Sequence, residues 1–202
     1  MDKKKLIIII AIILVIIIVI IAGVNIKNKK NESEETIHKH DNSKVISTDY
    51  PIDELDKIYK SDVAKNYKDI RDLSENYDSQ AAQQDNCFIV GAMVHNDYLY
   101  NEFMEKYKND EDAFIRVGQN TIEGDLFLTD LFYDSQTKEV TVVTDSTRDK
   151  YSSEEGRIIK FKKYDSIAEY NFENHLYWVT YNGELNDETF ASDDVYIIVT
   201  IN

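Results

Sequence analysis

The strongest indication of the fold class is the stretch from residue 114 to residue 144, FIRVGQNTIEGDLFLTDLFYDSQTKEVTVVT. Its apolar residues form short runs with the two-residue period that is typical of half-buried β-strands. Two turn sequences, Glu123-Gly124-Asp125 and Asp134-Ser135-Gln136-Thr137, separate the runs. Because strands that follow one another through short turns pair antiparallel, the stretch predicts a β-meander.

The strand pattern continues downstream, and helical patterns precede it. Further strand-like runs lie at residues 158–162, 167–172, 176–181 and 195–201, and Asn182-Gly183 is a strong signal for a two-residue hairpin. Upstream, residues 79–84 indicate a short helix, and an apolar run at 87–94 follows. A second amphipathic helix is indicated by the spacing of Leu99, Phe103, Met104 and Tyr107. Helices followed by a meander predict an α+β fold with one antiparallel sheet and helices on one face.

Residues 51–77 predict an amphipathic helix of about 25 residues, because apolar side chains recur every three or four positions. The stripe packs against its own domain or pairs with a second copy, which would make a homodimer through the Ile52 to Tyr77 helix. Strict heptads are not sustained, which favours packing within the chain. The stripe consists of Ile52, Leu55, Tyr59, Val63, Tyr67, Ile70, Leu73 and Tyr77.

The run from Leu6 to Val24 has 19 residues without a charged or polar side chain. As a helix it would be about 28 Å long, which is close to the hydrocarbon thickness of a bilayer. A cleaved signal peptide would have a shorter apolar core, and a lipoprotein would need a cysteine directly after the run. The sequence therefore predicts a single-pass signal anchor at 6–24, after a cytoplasmic tail at 1–5 and before a polar linker at 25–50. We expect the domain at 78–202 to be extracellular, on the outer side of the cell membrane.

The net charge of −15 comes from 38 acidic and 23 basic residues, and its distribution is uneven. Residues 1–30 contain six lysines and one aspartate, about +5, so the remaining residues carry about −20. A chain this acidic lacks the basic surface that nucleic-acid binding requires. The single cysteine excludes an internal disulfide and a multi-thiolate metal site. His38 and His40 in the polar linker lack a third fixed ligand, so we predict no metal site and no cofactor.

Four segments taken together resemble a known bacterial family. They are Val94-His95-Asn96, Phe114-Ile115-Arg116-Val117, Thr121-Ile122-Glu123-Gly124-Asp125 and Asp145-Ser146-Thr147-Arg148-Asp149. In order and spacing they are similar to the small secreted or lipid-anchored domain called domain of unknown function 4362, over about residues 78–165. Asn96 replaces the family's usual glycine, and the region after residue 165 matches only loosely. The resemblance implies an extracytoplasmic α+β domain and no assigned activity.

The candidate catalytic residues are His95, Glu123 and Asp125, which would act as acid and base or hold a cation. The alternative is that Gly124 supplies a turn and its acidic neighbours keep that turn soluble. Arg148 is a candidate ligand-binding residue, because its guanidinium could grip a carboxylate or a phosphate. The alternative for Arg148 is an internal ion pair with Asp145 or Asp149.

The sequence contains no nucleophile motif, zinc-protease motif or phosphate-binding loop. Cys87 begins an apolar run, which favours a buried thiol over a nucleophile. Trp178 lies in an aromatic run with Tyr177 and Tyr181, which could be a sugar- or peptide-binding face but is explained more simply as a core strand. We therefore predict a binding or interaction module for a protein or another envelope ligand. The alternative is a cell-envelope hydrolase that uses Glu123 and Asp125 with His95.

Overall fold

The structure is a computed structural model that describes residues 52–201, apart from the side chains of residues 154 and 201. All these residues belong to one compact unit of the chain, Ile37–Asn202. The predicted cytoplasmic tail, signal anchor and linker lie outside the described residues. Within residues 52–201, no helix is long and apolar enough to span a bilayer.

Residues 52–201 form an α+β fold, as the sequence predicts. The helices are α1 (Ile52–Lys60), α2 (Ser79–Gln84) and α3 (Tyr98–Lys108), with short 3-10 helices at Ile70–Asp72 and Glu154–Gly156. The strands are β1 (Phe88–Val90), β2 (Ala113–Asn120), β3 (Leu126–Asp134), β4 (Glu139–Asp145), β5 (Ile159–Tyr164), β6 (Ser166–Phe172), β7 (His175–Tyr181) and β8 (Val195–Ile201). The short helix at 79–84, the amphipathic helix after it and the strands predicted downstream of residue 113 are confirmed, with bounds that differ by a few residues.

The described strands form two sheets, so the prediction of one sheet is wrong. The first sheet has the order β1-β2-β3-β4-β5, and the second has the order β6-β7-β8. Consecutive strands from β2 onward pair antiparallel within each sheet, whereas β1 pairs parallel with β2 because α3 connects them as a crossover. Asp165 alone separates β5 from β6, and there the chain leaves the first sheet. Periodicity shows where strands lie but not which strands they pair with.

Both faces of the first sheet are covered, so the prediction of helices on one face is also wrong. Side chains of α1, the following segment and α2 pack on one face, against Phe114, Leu128 and Val143. On the opposite face, α3 and the second sheet pack against Ile115, Leu131 and Val142. The physical reason is that every residue of β2 from Ala113 to Gly118 is buried, so each face of the strand needs a covering layer.

The predicted helix at 51–77 is also corrected, because α1 ends at Lys60. After Lys60 the chain forms turns and a 3-10 helix. Groups in this segment form hydrogen bonds with the sheet or cap the 3-10 helix, and do not continue the helical hydrogen bonds of α1. The Lys68 carbonyl accepts from Arg116, and the Asp69 side chain caps the 3-10 helix. The stripe side chains Leu55, Ile70, Leu73 and Tyr77 are buried in this domain's own core. The continuous stalk that the predicted homodimer requires is therefore not formed.

The hairpin predicted at Asn182-Gly183 is wrong as well. The tight turn of the second sheet lies at Glu173 and Asn174, which have φ values of 49° and 66° and join β6 to β7. Asn182 instead begins a longer connection from β7 to β8, and its side chain accepts a hydrogen bond from the Asp165 backbone. Asn182 thus stabilises the corner between the sheets.

Candidate functional site

Arg116 and Asp130 form an ion pair that is buried between the first sheet and the segment after α1. The two residues lie opposite each other on β2 and β3, and each is 1% exposed. Arg116 donates through Nε and Nη2 to the two carboxylate oxygens of Asp130, at 2.6 Å each. The Tyr59 hydroxyl also donates to Asp130 at 2.6 Å, and Arg116 Nη2 donates to the Lys68 carbonyl at 2.8 Å. Both carboxylate oxygens of Asp130, and Nε and Nη2 of Arg116, are thus bonded inside the protein.

The protonation states of this cluster favour a structural role. Burial, and then the charge of Asp130, raise the pKa of the Tyr59 hydroxyl well above its ordinary value. Burial by itself lowers the pKa of Arg116, but the charge and hydrogen bonds of Asp130 outweigh it, and the pKa lies well above its usual range. Neither group exchanges a proton near neutral pH, so the cluster is unsuited to acid–base catalysis.

Arg148 forms a second buried ion pair, which confirms the alternative that it binds Asp145. Its Nη1 donates to Asp145 at 2.5 Å, and its Nε donates to the Ser74 carbonyl at 3.3 Å. The side chain is 5% exposed, and its Nη2 has no hydrogen-bond partner among the described residues. Because the guanidinium is buried and already bonds Asp145 and Ser74, it is not accessible for a bidentate grip on a ligand in solvent.

The two arginines hold the same segment in the same way, and we call them the arginine clamps. Each donates to a backbone carbonyl of the segment between α1 and α2. Each also lies against a tyrosine ring of that segment, at 5.8 Å from the centroid of Tyr67 for Arg116 and 5.6 Å from that of Tyr77 for Arg148. The clamps therefore fasten this segment to the first sheet. Sequence reasoning missed the pairing of Arg116 with Asp130, because strand register is decided by tertiary structure.

The three candidate catalytic residues make separate sets of contacts. His95 pairs with Ile89 through the backbone, and its ring Nδ1 lies 3.1 Å from Gln83 Nε2. Asp125 accepts from the Lys150 backbone at 2.8 Å, and Glu123 is exposed in the turn between β2 and β3. Within the described part of the chain, no hydrogen bond joins His95 to either carboxylate. The arrangement gives the hydrolase alternative no support.

Cys87 and Trp178 both belong to the core, as the sequence predicts. Burial raises the pKa of the Cys87 thiol to about 11, and the Tyr77 hydroxyl lies 3.5 Å from its sulfur. A thiol in this state is a poor nucleophile. Trp178 is fully buried among the rings of Phe88, Tyr100 and Phe103, so it belongs to no exposed aromatic surface.

Three loops meet at one end of the first sheet, which we call the loop end. They are residues 91–97 after β1, residues 121–125 between β2 and β3, and residues 146–158 between β4 and β5. Val90 pairs with Gln119, and Asp145 pairs with Ile159, so the strand ends that carry these loops lie side by side. Adjacent strands are about 4.8 Å apart, so the loops span about 15 Å from β1 to β4.

The loop end carries most of the exposed large apolar side chains of the described residues. Five of the seven lie there or directly beside it: Met93, Val94, Tyr98, Ile122 and Tyr151. The other two are Ile52 on α1 and Ile197 on β8. Ile122 is 102% exposed, Tyr151 is 74% exposed and Met93 is 70% exposed, so these side chains project into solvent. Sequence reasoning missed them, although an apolar residue inside a polar turn, such as Ile122, is a signal that could have been used.

Internal contacts hold the three loops in place. The Asp125 carboxylate accepts from the Lys150 backbone and thereby joins the second loop to the third. The first loop closes through two backbone hydrogen bonds of 3.0 Å between Ile89 and His95. Gly124, with φ of 92°, lets the second loop turn tightly. The loop backbones that carry the apolar side chains are therefore internally hydrogen-bonded, which reduces the conformational entropy lost on binding.

A cavity of about 290 Å³ lies at the opposite end of the first sheet. Its lining includes Glu54 and Lys57 of α1, Phe132, Glu139 and Lys163. Lys163 bridges Glu54 at 2.9 Å and Glu139 at 3.2 Å, so the charges on the rim largely neutralise one another. Residues 52–201 contain no group of three or more side chains suited to hold a metal ion. The cavity is thus a weaker candidate than the loop end.

The resemblance to domain of unknown function 4362 stays a prediction. No protein-family model, curated protein or solved structure matches this chain.

Proposed function

We propose that this chain is a membrane-tethered binding protein that engages its partner through the loop end. The predicted span from Leu6 to Val24 would anchor it, and the acidic α+β domain would lie outside the cell. The observation that carries the proposal is the concentration of exposed apolar side chains on the three loops. Exposed apolar side chains that are concentrated at one end of a well-packed domain are typical of interaction sites.

The free energy that these side chains lose by staying exposed supports a role in binding. A large apolar side chain left in water forgoes about 1.5–3 kcal/mol of burial free energy. The same chain buries Leu128, Leu131 and Trp178 almost completely, so apolar residues are not left outside for lack of a core. A partner that covers Met93, Ile122 and Tyr151 would recover that free energy on binding.

The course of the chain supports the same proposal. The Glu54 carboxylate of α1 contacts Lys163, which pairs with Thr141 near the end of the sheet opposite the loop end. Thr141 lies four residues before Asp145 at the loop end, so α1 contacts the sheet about 13 Å from the loops, at 3.3 Å per strand residue. A tether attached there would leave the loop end free for a partner.

Site-specific photocrosslinking in intact cells tests the proposal. A photoreactive amino acid replaces Ile122 or Tyr151 in the full chain, and Ile197 is the matched control because it is exposed on β8. We expect a discrete crosslinked product from the two loop positions and none from position 197. Absence of loop-specific products, or the same products from position 197, would contradict the proposal.

The membrane topology has its own test. External protease added to intact cells is expected to degrade the domain, because the proposal places residues 78–202 outside. A cytoplasmic protein of the same cells serves as the control for lysis. Protection of the domain until the cells are lysed would contradict the extracellular assignment.

A further inference from the structure

We infer that the loop end binds a protein segment in which apolar anchor residues are flanked by lysine and arginine. This inference rests on the proposed function and specifies its partner. The alternative partner for an exposed apolar surface on a tethered domain is the lipid bilayer. The charge of the three loops distinguishes a protein partner from a lipid bilayer.

The three loops carry twice as many acidic as basic residues. Among the acidic residues, Asp97, Glu123 and Glu155 are exposed. Two of them directly adjoin exposed apolar side chains, since Asp97 precedes Tyr98 and Glu123 follows Ile122. The acidic set is Asp97, Glu123, Asp125, Asp149, Glu154 and Glu155, and the basic set is Arg148, Lys150 and Arg157.

Two of the three basic residues are already engaged by carboxylates. Arg148 forms the buried ion pair with Asp145. The Lys150 ammonium lies 3.9 Å from the Asp125 carboxylate, and its backbone donates to the same side chain. Six carboxylates against three cations leave the loops with a net charge of −3 (3 − 6), so the potential around the apolar side chains is negative.

A negative surface selects a protein partner over an anionic membrane. Peripheral membrane-binding surfaces carry lysine and arginine around their apolar residues, because anionic lipids attract those charges. Here the flanking charges have the opposite sign and would be repelled by such lipids. The same charges favour a partner whose apolar anchors have basic neighbours, since complementary potentials accelerate association and exclude wrong partners.

The test uses the full chain in phosphatidylcholine nanodiscs and two synthetic helical peptides as probes. The peptides share one pattern of leucines, and their polar positions are all lysine in one and all glutamate in the other. We expect the lysine peptide to bind at least about tenfold more tightly, with an affinity that falls as salt rises.

Variants separate the loop end from the overall acidity of the chain. Glu123→Lys should weaken binding of the lysine peptide several-fold, whereas Glu111→Lys is the matched control because Glu111 is exposed before β2, at the opposite end of the sheet. Ile122→Ser should weaken it as well, and Ile197→Ser should not. Equal effects of Glu123→Lys and Glu111→Lys would overturn the inference, because the peptide would then report only net charge.

Two further outcomes distinguish this inference from the proposed function. Binding to phosphatidylglycerol vesicles that is lost on Ile122→Ser would overturn the inference in favour of a membrane. Loop-specific crosslinks in cells, without any preference for the lysine peptide, would overturn the inference and leave the proposed function intact. Loss of the loop-specific crosslinks themselves would remove both.

Discussion

The arginine clamps and the loop end distribute charged and apolar side chains in opposite ways. At the clamps, Arg116, Asp130 and Arg148 are buried and form ion pairs inside the protein. At the loop end, Ile122 and Tyr151 are exposed to solvent and do not belong to the core. The charged side chains, which could have been catalytic, thus stabilise the fold. The apolar side chains of the loop end, which would normally lie in a core, are available for binding.

Breaking the Arg116 clamp should have the largest effect on stability. Arg116→Ala leaves Asp130 charged and buried without its partner, and we expect the free energy of unfolding to fall by about 3–5 kcal/mol. Chemical denaturation of the full chain measures it. Lys150→Ala, which removes an exposed cation, should change stability by less than about 0.5 kcal/mol. A similar loss in both variants would show that the clamp has no special role.

Removing one hydroxyl from the same cluster should have an intermediate effect. Tyr59→Phe deletes the donor to Asp130 while keeping the ring, and hydrogen bonds to charged groups are worth about 1.5–3 kcal/mol. Chemical denaturation measures the free energy of unfolding of Tyr59→Phe. Tyr98→Phe is the control, because the Tyr98 ring is exposed beside the loop end. Equal stability of the two variants would mean that Asp130 is satisfied without Tyr59.

The buried thiol predicts a decline in stability at high pH. Burial raises the pKa of Cys87 from 9.0 to about 11. Between these values the unfolded chain loses the thiol proton and the folded chain keeps it, so stability falls as pH rises, by at most about 1.4 kcal/mol per pH unit. Cys87→Ala should reduce the slope of unfolding free energy against pH over this range, and buried tyrosines with raised pKa values, such as Tyr59, account for the slope that remains. An unchanged slope would show that the thiol is not the responsible group.

Substitutions at the loop end should have the smallest effect on stability and a large effect on binding. Ile122→Ser and Met93→Ser remove exposed side chains, so the free energy of unfolding should change by less than about 0.5 kcal/mol. Leu128→Ala in the core is the contrasting variant and should lose about 2–5 kcal/mol. A large loss of stability from Ile122→Ser would show that this side chain contributes to the core, and would contradict the distinction between the clamps and the loop end.

The predicted parts of the fold are those that depend on local pattern. The two-residue period located the strands, and the 3.6-residue period located α3, because each reports which side of an element is buried. The same reasoning extended α1 from Lys60 to Tyr77, because Tyr67, Ile70 and Leu73 continue the stripe while the backbone between them bonds to the sheet. A periodic stripe shows burial, not an unbroken helix.

The candidate site was predicted only in part, for a related reason. The pairing of Arg148 with Asp145 follows from residues three apart in sequence. The pairing of Arg116 with Asp130 depends on the register between β2 and β3, which no local pattern specifies. Ile122 was passed over because it lies in a turn, although its position there is what exposes it.

Four properties of this protein follow from its amino-acid sequence alone: the α+β class, the order of most helices and strands, the excess of acidic residues, and the buried state of Cys87 and Trp178. These properties follow from composition and from the periodic burial of side chains along single elements. Tertiary contacts set the division into two sheets, the end of α1 at Lys60, the attachment of the segment after α1 by the two clamps, and the position of three loops at one end of the first sheet. Each of these depends on contacts between residues far apart in the chain, whose free energies outweigh local preference where the two conflict.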